Sequence, residues 1–164
     1  MIRVEAADVT ERGLDRRIFS ATRSAFYEYA SDVPPPSALG DCLDDVTADL
    51  ESGTQVLLAY VDGSKRIAGV VRYKISKGRL WFFRLAVIPA QRRRGVASRL
   101  LQELIKVAEQ ETCSVVWCEV RSGAARNMAL YQAHDFVLTG QRLTAGSGFT
   151  RQLGVMSRNV GDGA

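Results

Sequence analysis

The segment from Leu85 to Ser98 combines the residue types that bind an anion. It has the pattern of a strand, a short turn with three consecutive arginines, and the start of a helix. The first N–H groups of a helix have no partner inside the helix, and the helix dipole favours negative charge beside them. Gly95 and Ala97 leave room for a ligand to approach the backbone, and the Ser98 hydroxyl is a further donor. The segment therefore predicts a binding site for a phosphate or diphosphate group.

Pattern alone leaves a second interpretation of this segment open, namely a solvated basic turn before an ordinary helix. Short glycine motifs recur by chance. The segment lacks the Gly-Lys-Ser/Thr of a P-loop and the GxGxxG of a dinucleotide-binding fold. The formal net charge of +4 favours anionic ligands in general, but it does not distinguish a nucleotide from a nucleic acid.

The rest of the sequence indicates the elements that must hold this segment. Apolar residues recur at helical spacing in several stretches, and short β-branched and apolar runs lie between turn residues. The expected strands cover 2–4, 54–61, 67–75, 80–87, 114–120, 136–139 and 149–156, and the expected helices cover 13–30, 41–50, 96–111 and 124–133. This order predicts an α/β fold with a central mixed, mostly antiparallel sheet flanked by about four helices. The strand–helix–strand stretch from Leu80 to Val120 supplies a parallel pair.

Length and composition favour one soluble domain. The chain has 164 residues, of which 46% are hydrophobic and 24% are charged. We expect a single domain over residues 1–158 and a flexible tail over 159–164. The first residues lack the apolar region of a signal peptide, and no apolar run approaches the ~20 residues of a membrane span. The sequence therefore predicts a cytoplasmic protein without a membrane partner.

Residues that usually bind metals are scarce. The chain has one histidine, His134, and three cysteines without a CxxC pair, Cys42, Cys113 and Cys118. We therefore expect no metal site and reduced thiols. His134 follows the last expected helix, where a cation is favourable, so we expect it to cap that helix.

The second expected helix carries an acidic stripe of Asp41, Asp45 and Asp49 at i, i+4 spacing. Like charges at this spacing cost a little stability. A solvated helix face is the favoured interpretation, and attraction of a cationic acceptor is the alternative.

Two linked motifs resemble those of the GNAT superfamily of N-acetyltransferases. The first, Val-x-Pro-x-x-Arg-x-x-Gly-x-Ala over 87–97, is similar to the acetyl-CoA signature and has the same place, between the fourth strand and the third helix. The second, NMALYQAHDF over 127–136, is similar to the Asn…Ala-Leu-Tyr…Gly-Phe block. Arg93 and Asp135 depart from the pattern, since glycine is usual there. Asp135 follows a helix, where a left-handed residue is expected and aspartate is tolerated. The expected order of elements matches the superfamily from Ile2 to Met156.

The resemblance implies that acetyl-CoA is the co-substrate and that an amine is the acceptor. Backbone N–H groups of the 92–98 turn would hold the pyrophosphate. The main chain of 85–87 would pair with the pantetheine, and an amide there would polarise the thioester carbonyl. The implied coenzyme contacts are Leu85, Ala86, Val87, Arg92, Arg93, Arg94, Gly95, Val96, Ala97, Ser98, Asn127 and Tyr131.

The resemblance also implies the catalytic residues. Asn127 and Tyr131 are four residues apart and share a helix face, which the superfamily directs at the coenzyme sulfur. Tyr131 is protonated at neutral pH and can act as general acid toward the leaving thiolate. The fourth strand reads Trp-Phe-Phe-Arg over 81–84, without the acid that some members use as base. Glu119 on the next strand is the best candidate, while a water relay or a structural role for Glu119 stays open.

Three functions are compatible with these motifs. The favoured one is direct transfer of acetyl from acetyl-CoA to an amine of a small molecule or peptide. The second is a non-catalytic acyl-CoA sensor on the same fold. The third, nucleic-acid binding through the arginines, is disfavoured because the sequence has no helix–turn–helix spacing or stacking platform. The sequence does not specify the acceptor, and a homodimer stays open.

Overall fold

The computed structural model describes residues 1–32, 35–121, 124–146 and 149–161. Its strands are β1 Ile2–Ala6, β2 Gln55–Val61, β3 Gly69–Ser76, β4 Arg79–Val87, β5 Val115–Arg121, β6 Val137–Gly146 and β7 Phe149–Asn159. Its α-helices are α1 Leu14–Phe26, α2 Leu43–Glu51, α3 Val96–Gln110 and α4 Ala125–Ala133, and short 3₁₀ helices cover Tyr27–Tyr29, Ser37–Gly40 and Pro89–Gln91. Within these described ranges, no helix is both long enough and apolar enough to cross a membrane. The order of strands and α-helices is the one that the sequence predicts.

The seven strands of the described residues are hydrogen-bonded in the order β1-β2-β3-β4-β5-β7-β6. The pairs β1–β2, β2–β3, β5–β7 and β6–β7 are antiparallel. β4 and β5 are parallel, and they pair through Arg79–Trp81 and Val115–Trp117. The predicted α/β fold with a mixed, mostly antiparallel sheet and four helices is therefore confirmed.

Residue contacts divide the chain into two compact units. The first unit comprises Met1–Lys74 and Phe83–Glu103, and the second comprises Ile75–Phe82 and Leu104–Ala164. β3, β4 and α3 each contribute residues to both units. The single domain expected over 1–158 stays a prediction.

The core of the first unit forms where α1 meets the sheet. One face of α1 supplies buried apolar residues every three or four positions, as an amphipathic helix does. This buried cluster consists of Leu14, Ile18, Ala21, Ala25, Val46, Val56, Leu58, Tyr60, Ile67, Val70 and Ala86. Ala86 belongs to the end of β4, so the strand segment that leads into the predicted anion site is anchored in this core.

Gly69 of β3 allows α3 to begin close to the sheet. A Cβ atom at Gly69 would lie 2.7 Å from Val96 Cγ1, 3.1 Å from Leu100 Cδ1 and 3.2 Å from the Ala86 carbonyl oxygen. Any larger residue would displace the first turn of α3, because a packed interior has no spare volume. This close approach fixes the N terminus of α3 relative to the end of β4.

The second unit has its core on one face of β5. Alternate residues of β5 are buried, with Cys118 at the centre. The rings of Phe82, Tyr131 and Phe136 meet here, with centroid distances of 5.7 Å between Phe82 and Tyr131 and 5.9 Å for the other two pairs. Tyr131 of α4 is therefore held by aromatic packing.

The opposite face of β5 in this unit is half-buried and carries different residues. Trp81 and Trp117 stack with ring centroids 5.8 Å apart, and the Arg79 guanidinium lies 5.6 Å from the Trp117 ring. Two residues further along β5, Glu119 lies on this same face because side chains alternate along a strand. Arg142 of β6 pairs with it.

The C-terminal hairpin is longer than the sequence predicts. The prediction ends β6 at residue 139, but the strand continues to Gly146 past a bulge between Leu138 and Gly140. A glycine directly after a predicted strand is typical of a turn, but Gly140 lies beside a bulge within β6. β7 extends to Asn159, and the N–H of Val160 donates to Ser114 O at 3.0 Å, so pairing passes the expected boundary at residue 158. Residues 162–164 of the expected tail lie outside the described residues.

Candidate active site

The turn between β4 and α3 has the backbone of an anion site. After the 3₁₀ turn Pro89–Gln91, Arg93 and Gly95 are left-handed, with φ of 63° and 83°. Left-handed residues in a turn orient successive N–H groups toward a common concavity. Within the described residues, the N–H groups of 93–98 donate to no backbone carbonyl, whereas the N–H of Arg99 donates to Gly95 O at 3.0 Å. The free N–H groups of the turn and those of the first turn of α3 therefore form one continuous run over 93–98.

Gly95 keeps this turn open. The residue is exposed, and the nearest atom to a Cβ placed on it would be Ile2 Cδ1 at 4.0 Å. A φ of 83° strains any residue with a side chain, so glycine is favoured here for its conformation as well as for the space it leaves.

The three arginines of the turn have different partners. The Arg92 guanidinium donates to Ala25 O at 2.7 Å and to a Glu28 carboxylate oxygen, and the Arg92 N–H donates to Pro89 O at 3.3 Å. Arg94 lies 3.4 Å from Asp62 and is half-exposed, and Arg93 is exposed. Arg92 therefore anchors the turn to the end of α1, and its backbone N–H is already used.

The acidic stripe of Asp41, Asp45 and Asp49 begins before α2, and its prediction as a solvated helix face is wrong for Asp41 and Asp49, which form ion pairs, whereas Asp45 is exposed. Asp49 Oδ2 accepts from Arg72 Nη1 at 2.8 Å, and Arg72 itself is 1% exposed. Asp41 binds Arg84, with Nε–Oδ2 at 2.9 Å and Nη2–Oδ1 at 3.1 Å. Asp45 caps α2 by accepting the Cys42 N–H at 2.8 Å, a hydrogen bond that lowers the pKa of Asp45.

Burial and the charge of Asp49 shift the pKa of Arg72 in opposite directions. Burial lowers the pKa of Arg72, and the nearby carboxylate of Asp49 acts in the opposite direction. A buried arginine needs such a partner because an unpaired buried charge is costly. No local pattern indicates the Arg72–Asp49 pair, since the two residues are 23 positions apart in the sequence.

Tyr131 of α4 is buried against Phe82 and Phe136. Burial raises the pKa of the Tyr131 phenol, and the neighbouring Cys118 adds to the increase. The phenol is therefore protonated throughout the neutral and mildly alkaline range. Such a group can donate a hydrogen bond or a proton, but it cannot act as a base at these pH values.

Burial of Cys118 and Tyr131 makes the stability of the protein fall in alkaline solution. Burial raises the pKa of the Cys118 thiol, whose ordinary value is 9.0, and that of Tyr131, whose ordinary value is 10.0. Both groups are neutral in the folded protein and ionise first in the unfolded chain, so unfolding releases protons above pH 9. Each group then lowers the free energy of unfolding by up to about 1.4 kcal/mol per pH unit.

Urea denaturation followed by far-ultraviolet circular dichroism measures this effect. The free energy of unfolding is expected to be flat from neutral pH to the ordinary thiol pKa and to fall steadily above it. Cys118→Ala is expected to make the fall between the ordinary thiol and tyrosine pKa values shallower, because Cys113, whose thiol pKa is also raised by burial, is then the one buried thiol left among the described residues. If the free energy of unfolding of the wild type does not change as the pH rises past the ordinary pKa values of 9.0 and 10.0, the prediction is contradicted.

Glu119 is held by an arginine. Its Oε2 lies 3.1 Å from Arg142 Nη2, and the Glu119 side chain is 17% exposed. The contact is an ion pair without hydrogen-bond alignment, because Oε2 accepts no hydrogen bond among the described residues. Glu119 therefore has a free acceptor position beside its cationic partner.

The end of α4 corrects one expectation and confirms another. Asp135 is left-handed, with φ of 67°, as the sequence predicts. The cation at this helix end is Arg158, whose Nη1 donates to His134 O at 3.0 Å. His134 is the C-cap residue, and its backbone carbonyl accepts this hydrogen bond. The positive charge that was expected from the His134 imidazole comes from the Arg158 guanidinium.

The predicted site residues fall into two sets. Leu85–Val87 and the 92–98 turn are contiguous in the first unit, and Glu119, Asn127 and Tyr131 belong to the second. Within the second unit, Tyr131 and Glu119 lie on opposite faces of β5. Asn127 and Tyr131 are one helical turn apart, but Asn127 is exposed in the first turn of α4 whereas Tyr131 is buried.

Comparison with known proteins gives both a family and a fold. The model of the acetyltransferase (GNAT) family matches residues 16–136. No curated protein matches the sequence. The crystal structure of the ribosomal-protein-S18-alanine N-acetyltransferase from Escherichia coli is similar, with a TM-score of 0.78 and 17% identity over 100% of this chain and 97% of that chain.

Two similar structures contain the coenzyme. The yncA protein of Salmonella typhimurium with its cofactor acetyl-CoA has a TM-score of 0.71 and 18% identity, over 99% of this chain and 96% of that chain. A Bacillus subtilis acetyltransferase in complex with CoA has a TM-score of 0.70 and 14% identity, over 98% of this chain and 99% of that chain. These likenesses establish the fold, and the family model spans most of the sequence. The chain belongs to the acetyltransferase (GNAT) family.

Proposed function

We propose that this protein is an acetyl-CoA-dependent N-acetyltransferase that transfers the acetyl group directly to an amine. The observation that carries the proposal is the run of backbone N–H groups over 93–98, which have no carbonyl partner among the described residues. A run of free donors at a helix N terminus suits a pyrophosphate group. Family membership and the coenzymes in two similar structures support the same assignment.

The first unit offers two kinds of contact to the coenzyme. The N–H groups of 93–98 hold the pyrophosphate, and the exposed Arg93 and Arg94 add positive charge. Arg92 contributes by fixing the turn to Ala25 and Glu28. The main chain of Leu85–Val87 pairs with the pantetheine, and one of its amides polarises the thioester carbonyl.

Tyr131 acts as the acid in this proposal. The bound thioester supplies an acetyl group to the amine, and the coenzyme departs as a thiolate. The Tyr131 phenol, whose pKa is raised by burial, stabilises that thiolate by donating a hydrogen bond. A thiol pKa of about 8.5 lies below that of the phenol, so the hydrogen bond is the main contribution and full proton transfer is uphill.

Glu119 is the proposed base for the amine proton. Its position on the face of β5 opposite to Tyr131 separates the base from the acid. The Arg142 guanidinium, 3.1 Å from Glu119 Oε2, holds this side chain in place. A water relay that ends on Glu119 is the alternative. We also propose a cytoplasmic location, and the homodimer remains a hypothesis.

A panel of amines with acetyl-CoA, assayed by release of free thiol, tests the function. Polyamines, aminoglycosides, amino acids and peptide N termini represent the main acceptor classes. Turnover with one class supports the enzyme and identifies its acceptor. Acetyl-CoA binding without turnover on any amine would favour a non-catalytic sensor, and absence of binding would overturn the proposal.

A further inference from the structure

β4 contains a bulge at Arg84. The turn Lys77-Gly78, with both residues left-handed, sets Ser76 opposite Arg79. At the other end of the two strands, the N–H of Ile88 donates to Ala68 O at 2.9 Å. If the pairing ran without interruption from this turn, Ala68 would lie opposite Val87. Because Ala68 pairs with Ile88 instead, β4 contains one residue more than the stretch of chain it pairs with. Arg84 accounts for it, because its φ of 54° is left-handed in the middle of the strand.

Arginine is an unfavourable choice for such a position. Left-handed bulge positions prefer glycine, and a residue with a long side chain keeps this conformation only when its surroundings impose it. The reason for an arginine must therefore lie in what its side chain contacts.

The Arg84 side chain is fixed at three points. It forms a two-point ion pair with Asp41, at 2.9 Å and 3.1 Å, and its Nη1 donates to Ser37 Oγ at 2.9 Å. Asp41 Oδ2 also lies 3.7 Å from Nη2 of the buried Arg72. Planar two-point pairs of this kind restrict the guanidinium in orientation as well as in position.

We propose that the Asp41–Arg84 pair is a positioning element that holds the bulge of β4 and so orients the main chain of the next residues, Leu85–Val87, for the coenzyme. The inference rests on the proposed function, which assigns coenzyme pairing to this main chain. Neither side chain needs to contact the coenzyme. A change at Arg84 φ rotates the peptide that follows it, and the N–H and C=O groups beyond then point elsewhere.

The substitutions Arg84→Ala and Arg84→Gly separate positioning from simple stabilisation. Both remove the guanidinium, but only glycine adopts a left-handed φ without strain. Calorimetric titration with acetyl-CoA is expected to show a dissociation constant raised about tenfold or more for Arg84→Ala and about threefold or less for Arg84→Gly. Asp41→Asn is expected to resemble Arg84→Ala. The matched control is Asp44→Asn, an exposed carboxylate in the first turn of α2, three positions after Asp41, and it is expected to bind like the wild type.

The outcomes distinguish this inference from the proposed function. A wild-type protein that does not bind acetyl-CoA contradicts the proposed function. If the wild type binds acetyl-CoA but Arg84→Ala and Arg84→Gly lose the same amount of affinity, the positioning role is contradicted. It is also contradicted if neither variant loses affinity. Melting temperatures of all variants are measured in parallel. If Asp41→Asn does not fold, the two Arg84 variants still decide the result.

Discussion

Gly95→Glu is expected to raise the dissociation constant for acetyl-CoA by about 100-fold or more, equal to about 2.8 kcal/mol of binding free energy. The carboxylate would project from the centre of the 93–98 turn, where the free N–H groups now favour an anion. It would occupy the space of the pyrophosphate and repel its negative charge. Isothermal titration with acetyl-CoA measures the change directly.

Backbone strain requires a control, since Gly95 has a φ of 83°. Gly53 follows α2, with a φ of 96° and no neighbouring atom within 4 Å of a Cβ, so Gly53→Glu introduces similar strain and the same charge away from the turn. Gly53→Glu is expected to lower the melting temperature without weakening coenzyme binding. If Gly95→Glu binds acetyl-CoA as the wild type does, the N–H groups of 93–98 do not hold the pyrophosphate.

Tyr131→Phe is expected to lower kcat by about 100-fold to 1000-fold, the usual loss when one hydrogen-bond donor to a developing charge is removed. The dissociation constant for acetyl-CoA is expected to stay within about twofold, because phenylalanine keeps the ring contacts with Phe82 and Phe136 and only the transition state loses a donor. Steady-state kinetics on the identified amine, together with titration of the coenzyme, give the two quantities.

A second buried tyrosine provides the matched control. Tyr60 of the first unit accepts a hydrogen bond from Arg17 Nη2 at 3.2 Å, so Tyr60→Phe also removes a buried phenol hydroxyl. Its kcat is expected to equal that of the wild type. The ratio of wild-type to Tyr131→Phe kcat is expected to be constant up to the ordinary tyrosine pKa of 10.0, since burial keeps the phenol protonated there. Full turnover by Tyr131→Phe would remove Tyr131 from the mechanism.

Local patterns predicted the parts of the site that depend on neighbours in sequence. The turn before α3 needs a glycine at one position and a helix start immediately after it, and both features are visible in the sequence around Gly95. The left-handed Asp135 after α4 is equally local. The order of the elements followed in the same way, because hydrophobic spacing and turn residues determine helices and strands over short stretches.

Partners far apart in the sequence could not be predicted in this way. Arg92 was expected to serve a phosphate, but its side chain binds Glu28, 64 positions away. Asp41 was expected on a solvated face, but it binds Arg84, 43 positions away. A charged side chain has several chemically equivalent partners in one sequence, and only the packed fold selects among them.

The tryptophan stack determines what optical measurements will report. The chain has two tryptophans, Trp81 and Trp117, and both belong to the second unit. Indole fluorescence therefore follows the environment of β4 and β5 at their paired ends and contains no emission from the turn that surrounds Gly95. Far-ultraviolet circular dichroism, in contrast, includes the helices of both units. Agreement or disagreement between the two signals during denaturation shows whether the units lose structure together or in sequence.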